Sequence, residues 1–124
     1  MAKYANPDVI DGALNVIKNN ATRMTLCTTQ PTTFAEANAT YSLAQVAMAS
    51  GDFTLANGDT SGRKVTVAAK SGVSVATSGT VTHAALLDVT NSKLLFVTTT
   101  PSTAVAGGGT VDIGSWKDEI QAPI

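Results

Sequence analysis

The sequence predicts an all-β sandwich with one short N-terminal helix. Three observations carry that expectation. From Ser50 to Asp88, Val/Thr/Ala-rich segments alternate with Gly/Ser/Asn/Asp turns about every 8–12 residues, the spacing of a sandwich or barrel. Threonine supplies roughly one residue in six, and its β-branched side chain favours extended backbone. A sustained apolar repeat at helical spacing occurs only near the N-terminus.

Asn6-Pro7-Asp8 opens that helix. Asn6 can cap it, Pro7 suits the first helical position, and Asp8 and Asp11 sit at the positive end of the dipole. Val9, Ile10, Ala13, Leu14 and Ile17 are expected on the buried face. Lys18 lies at the negative end, and Asn19-Asn20 can stop the helix. Gly12 weakens it by about 1 kcal/mol relative to alanine, so the helix must dock by its apolar stripe.

Arg23–Thr28 alternates as a strand with one buried face, Met24 and Leu26 facing one way and Arg23, Thr25 and Cys27 the other. Residues 30–40 read as a loop with a helical turn at Phe34–Asn38. Leu43–Met48 fits helix or strand, and its strand neighbours favour strand. Phe53–Leu55 is a short strand, and ANGDTSG a wide turn. Lys64–Ala69 and Val73–Ala76 are strands joined by a tight turn at Lys70-Ser71-Gly72. Thr80–Val89 is the longest strand, and Thr90-Asn91-Ser92 turns it into Lys93–Thr99. PSTAVAGGG, from Pro101 to Gly109, reads as a mobile segment whose three glycines mark either a flexible loop or a place where backbone approaches something closely. Val111–Ile113 and Trp116–Ile120 close the domain. About eight strands in two four-stranded sheets give a jelly-roll-like sandwich.

The 124 residues make a single domain, with the arm and helix occupying about residues 1–20. Charged residues make up 14%, against roughly 25% in an average domain. Net charge is −1 and Lys and Arg do not cluster, so the electrostatic footprint of a nucleic-acid binder is missing. Cys27 is the single cysteine, which excludes an intramolecular disulfide and a cysteine metal cage. MAKYANPDVIDG lacks the apolar core of a signal peptide, and no apolar run approaches the roughly 18 residues of a membrane span.

The residues with chemical potential read as structural. His83, the one histidine, has no second ligand for zinc and no partner legible from spacing. Cys27 reads as a buried filler. Asp52, Asn57, Asp59 and Thr60 lack calcium-loop spacing and are explained by turn chemistry. Asp118 and Glu119, adjacent in a strand, point to opposite faces. Trp116 is expected in the core beside Ile113 and Ile120 rather than as an interface anchor, because few other large side chains exist to fill the core. No catalytic, cofactor or metal residue is assigned.

Three segments, NPDVIDGALNVIKNNATRMTLC, SGDFTLANGDTSGRKVTVAAKSG and VTHAALLDVTNSKLLFVTT, resemble the small virion proteins of tailed bacteriophages. Within that class the chain is similar to the capsid decoration, or cement, proteins of short-tailed phages. The resemblance implies a structural, non-enzymatic protein with a jelly-roll-like fold. It would be assembled in the host cytoplasm and bind the capsid exterior, clamping neighbouring major capsid subunits as a homo-oligomer, a dimer or trimer. It implies neither cofactor, nucleic acid nor membrane. The expected contacts are the arm, Met1, Ala2, Lys3, Tyr4, Ala5 and Asn6, and the glycine-rich segment, Thr103, Gly107, Gly108 and Gly109. The rival reading is a tail or adhesion component recognising a host glycan, which needs exposed aromatics for sugar stacking. A small hydrolase would need clustered titratable groups, and one histidine argues against it.

Overall fold

A computed structural model describes residues 3–122. Helix α1 spans Pro7–Asn20. Asn6 caps it through its side-chain oxygen, which accepts the Asp8 N–H at 2.8 Å, satisfying one of the free donors of the first turn. At the other end Ala21 donates to the Ile17 carbonyl at 2.9 Å. The buried residues are Ile10, Leu14 and Ile17. Val9 and Ala13 face outward, contrary to expectation, and Val9 is 69% exposed. At 3.6 residues per turn Val9 lies about 100° from Ile10, and the bulkier Ile10–Leu14–Ile17 stripe sets the rotation of the helix.

Nine strands follow: β1 (Arg23–Cys27), β2 (Ser42–Ala47), β3 (Phe53–Asn57), β4 (Arg63–Val67), β5 (Lys70–Ser74), β6 (Gly79–Asp88), β7 (Lys93–Val105), β8 (Thr110–Ile113) and β9 (Trp116–Ile120). The fold is mostly β with one helix, as the sequence predicts. The sheets have four, three and two strands, in the orders β2-β1-β6-β7, β3-β4-β9 and β5-β8, rather than the two four-stranded sheets expected. The pairings between these strands are antiparallel.

The main core joins α1 to both larger sheets: Leu14 and Ile17 meet Met24 and Leu86 from one sheet and Phe53, Val65 and Val67 from the other. A second cluster, including Leu26, Leu43, Val73, Val75 and Val81, seats the β5-β8 ribbon. The expected hairpin at Lys70-Ser71-Gly72 does not form, because β5 pairs with β8 and not with β4. Burying Val73 and Val75 in the second cluster directs the chain away from β4. Lys70 meets Asp52 at 2.9 Å where the chain departs.

β1 is buried on both faces, not on one. Thr25 and Cys27 are fully buried because residues 28–41 fold over that side. Ala37 joins Cys27, Ala85 and Leu87 in a third cluster, with Phe34 and Tyr41 packed against it. The helical turn expected at Phe34–Asn38 is present and widens into a π-helical turn at Glu36–Thr40.

Pro101 does not begin a loop. β7 continues to Val105, with Thr103 opposite Val81 and Val105 opposite Gly79. Pro101 is tolerated because β7 is an edge strand, where a missing N–H need not break a ladder bond.

Candidate contact surface

Of the expected arm contacts, Met1 and Ala2 lie outside the described residues. Lys3, Tyr4 and Asn6 are exposed and Ala5 is half-buried. Arm and helix start border a groove of about 330 Å³ that includes Pro7, Ile10, Asn57, Arg63 and Ala122. Arg63 anchors this end of the fold: its Nε donates to Asp11 at 2.8 Å and its Nη1 to Asn57 at 2.7 Å. The pair with Asp11 links α1 to β4. Tyr4, 81% exposed, stands out from the surface.

The glycine-rich segment is a tight turn bonded to its neighbours, which fits the close backbone approach rather than the flexible loop among the two expected readings. Gly107 N–H donates to Ser78 Oγ at 2.8 Å. Gly108 N–H donates to the Val75 carbonyl at 2.8 Å, and Val75 N–H to the Gly109 carbonyl at 3.0 Å. Gly108 has φ +87°, a conformation that favours glycine. A Cβ on Gly107 would sit 3.2 Å from the Ala76 carbonyl oxygen. Gly107 therefore serves close backbone approach, and Gly108 the left-handed conformation of the turn. Thr103 belongs to β7, and its hydroxyl donates to the Pro101 carbonyl at 3.1 Å. Arm and glycine turn have different neighbours, Asn57 and Arg63 for one, Val75 and Ser78 for the other, so the structure does not merge them into one patch.

Two surface features escaped the sequence reading. Val9 and Val16, 69% and 49% exposed, lie seven residues apart on the outer side of α1, with the exposed Gly12 and Ala13 between them. The spacing i, i+3, i+4, i+7 was the available signal, but it overlaps the stripe that docks. The second feature is a cleft of about 330 Å³ beside the edge of the four-stranded sheet. Thr98 and Thr100 of β7 line it together with Ile113 and Trp116, over Val81 and Ala84. Trp116 is half-buried, packed against the main core and stacked on Phe96 with ring centroids 5.8 Å apart. Its buried Nε1 has no acceptor among the described residues.

The titratable groups serve local ties. Asp59 pairs with Lys117 and Lys64; Lys117 first and Lys64 second hold its carboxyl down to about 2. Glu119 accepts the Asp59 and Thr60 N–H groups and fastens the same turn. The Ala49 N–H, then Lys70, lower the Asp52 carboxyl. Asp118, on the other face of β9, is raised by burial. Burial also raises the Cys27 thiol, with Thr25 opposing the shift. His83 Nδ1 lies 2.8 Å from Thr82 Oγ1, whose proton goes to the Thr28 carbonyl. Among the described residues no three His, Cys, Asp or Glu side chains converge to hold a metal, and no helix is long and apolar enough to cross a membrane.

Of the aromatics a glycan site would use, Tyr4 is exposed, whereas Tyr41 and Trp116 are half-buried. Comparisons with protein-family models, with curated proteins and with solved structures gave no match.

Proposed function

We propose that this is a structural virion protein of a tailed phage, one that binds the outer capsid surface and clamps neighbouring major capsid subunits. The observation that carries this reading is the placement of exposed apolar side chains. Tyr4, Val9 and Val16 are the exposed large hydrophobics of the described chain, and all three belong to the arm and the outer face of α1. Val9 and Val16, seven residues apart on one face of α1, supply an apolar stripe that a partner surface can cover. Repetition over a lattice lets each contact be weak and the coat stable. The pairing of Asp59, Asp11 and Asp52 with Lys and Arg partners suits a scaffold role.

The reading is tested on purified particles of the encoding phage. The protein is expected at a copy number comparable with the major capsid protein. Shells that lack it are expected to release DNA at lower temperature, and Val9→Asp is expected to lower occupancy without unfolding the protein. Recovery of a few copies on the tail would replace this reading with the adhesion one, and absence from the particle would end both.

A further inference from the structure

We propose that Asn57 is a site of spontaneous deamidation, and that Arg63 sets the rate by holding the Asn57 side chain across the β3–β4 pair. The inference is independent of what the protein coats.

Asparagine is among the thermolabile residues, and Asn57 is the one asparagine of this chain followed by glycine. Glycine lacks the Cβ that hinders approach of its own backbone nitrogen to the preceding side chain. In the reaction the Gly58 nitrogen attacks Asn57 Cγ. The N–Cγ bond forms as that nitrogen gives up its proton, and the Cγ–Nδ2 bond breaks with release of ammonia. Water then opens the cyclic imide at either carbonyl and leaves aspartate or isoaspartate. No oxidant or reductant takes part.

The fold retains this dipeptide and wets it. A Cβ on Gly58 would overlap the Ser61 carbonyl oxygen, so an L side chain does not fit there unless the turn moves. Asn57 ends β3, is exposed, and borders the groove beside the arm.

The same turn ties both reacting groups. Gly58 N–H donates to the Gly62 carbonyl at 2.9 Å. Asn57 Oδ1 accepts from Arg63 Nη1 at 2.7 Å. Asn57 and Arg63 stand opposite each other in the β3–β4 register, so this bond directs the amide sideways to the neighbouring strand rather than onward to Gly58. Arg63 is fixed in turn by Asp11 of α1 at 2.8 Å. Ring closure therefore waits for the guanidinium to let go. The nearest competitor is Asn91, which precedes Ser92. Its Nδ2 donates to Asp88 at 2.8 Å, and the serine side chain hinders closure. At position 57 conversion adds a negative charge beside Arg63, and the isoaspartate form also moves a methylene into the main chain at the end of β3.

Ageing the full chain in mildly alkaline buffer, folded and in urea, tests the site. Ion-exchange chromatography reads the new charge, and mass spectrometry of peptides locates it. Conversion is expected first at Asn57, at least about tenfold faster in urea than in the folded chain, and not at that position in Asn57→Gln. Arg63→Ala is expected to speed conversion of the folded chain about five- to tenfold, the worth of one exposed hydrogen bond to a charged group. Leu87→Ala weakens the third cluster, away from Asn57, and should leave the folded rate unchanged, which separates local release from general loosening. If Arg63→Ala fails to fold, Arg63→Lys keeps the charge, loses the forked geometry and reads the same release. Conversion led by Asn91 overturns the site. A rate in the Arg63 variants that is unchanged, or slower because the guanidinium activates the carbonyl, overturns the role given to Arg63, as do equal rates in the folded chain and in urea.

Discussion

Leu14→Ala and Val9→Ala form a paired test of how α1 sits. Both residues fall in the apolar repeat of the helix, so the sequence pattern alone predicts similar costs. Leu14 is fully buried, among Met24, Phe53, Val65, Val67 and Leu86. The substitution removes three carbons, worth about 2.4 kcal/mol at roughly 0.8 kcal/mol per buried methylene. The neighbours belong to strands of two sheets and cannot collapse into the space, so a cavity contribution adds to this. The expected total is about 3–4 kcal/mol. For 124 residues the unfolding entropy is about 0.26 kcal/mol/K, so the midpoint should fall by about 12–15 °C. Val9 is 69% exposed, and alanine is the better helix former. Val9→Ala should therefore change stability by less than about 0.5 kcal/mol, in the stabilising direction. Thermal and urea unfolding followed by circular dichroism measure both. A loss under about 1.5 kcal/mol for Leu14→Ala, or over about 1 kcal/mol for Val9→Ala, would refute the docking geometry.

Asp59 supplies a pH test. Lys117, then Lys64, depress its folded value from 3.8 to about 2, so its stabilising contribution is present above pH 3.8 and is lost as pH falls through 2. The midpoint difference between the wild type and Asp59→Asn should be constant down to about pH 4, shrink between about 4 and 2, and vanish below that. It should diminish in about 1 M salt, and a difference that persists below pH 2 would show that Asp59 acts in another way. Two glycines test backbone geometry. Gly62 has φ +68°, and a Cβ there would overlap the Ile120 carbonyl oxygen, whereas Gly108 at φ +87° faces open space. Gly108→Ala should cost about 1–2 kcal/mol by urea titration, and Gly62→Ala distinctly more, with equal losses counting against the packing of Gly62 on β9.

Much of the fold was legible locally. The Asn6 cap, the wide turn at residues 58–62 and the turn after Asp88 follow from short-range steric and hydrogen-bond preferences. The sequence ends β7 at Thr99 because Pro101 and the glycines resemble a loop, whereas pairing with Gly79–Val81 extends the strand. Alternation predicts one buried face for β1, whereas a segment ten residues away covers the second as well; this buries Thr25 and, as expected of a filler, Cys27. Of the expected contact residues, Lys3, Tyr4, Asn6, Thr103 and the three glycines lie at the surface and Ala5 is half-buried, with the glycines held in a turn.

The sequence by itself determined the class of the fold, the position and cap of its helix, and most turns, because each depends on neighbours within a few residues. Tertiary structure alone decided which helix face is buried, which strands share a sheet, and which edge stays open. Those outcomes depend on long-range packing: Leu14 finds Val65 and Leu86, Val73 finds Val81, and the outer edge of β7 is left without a strand beside it among the described residues.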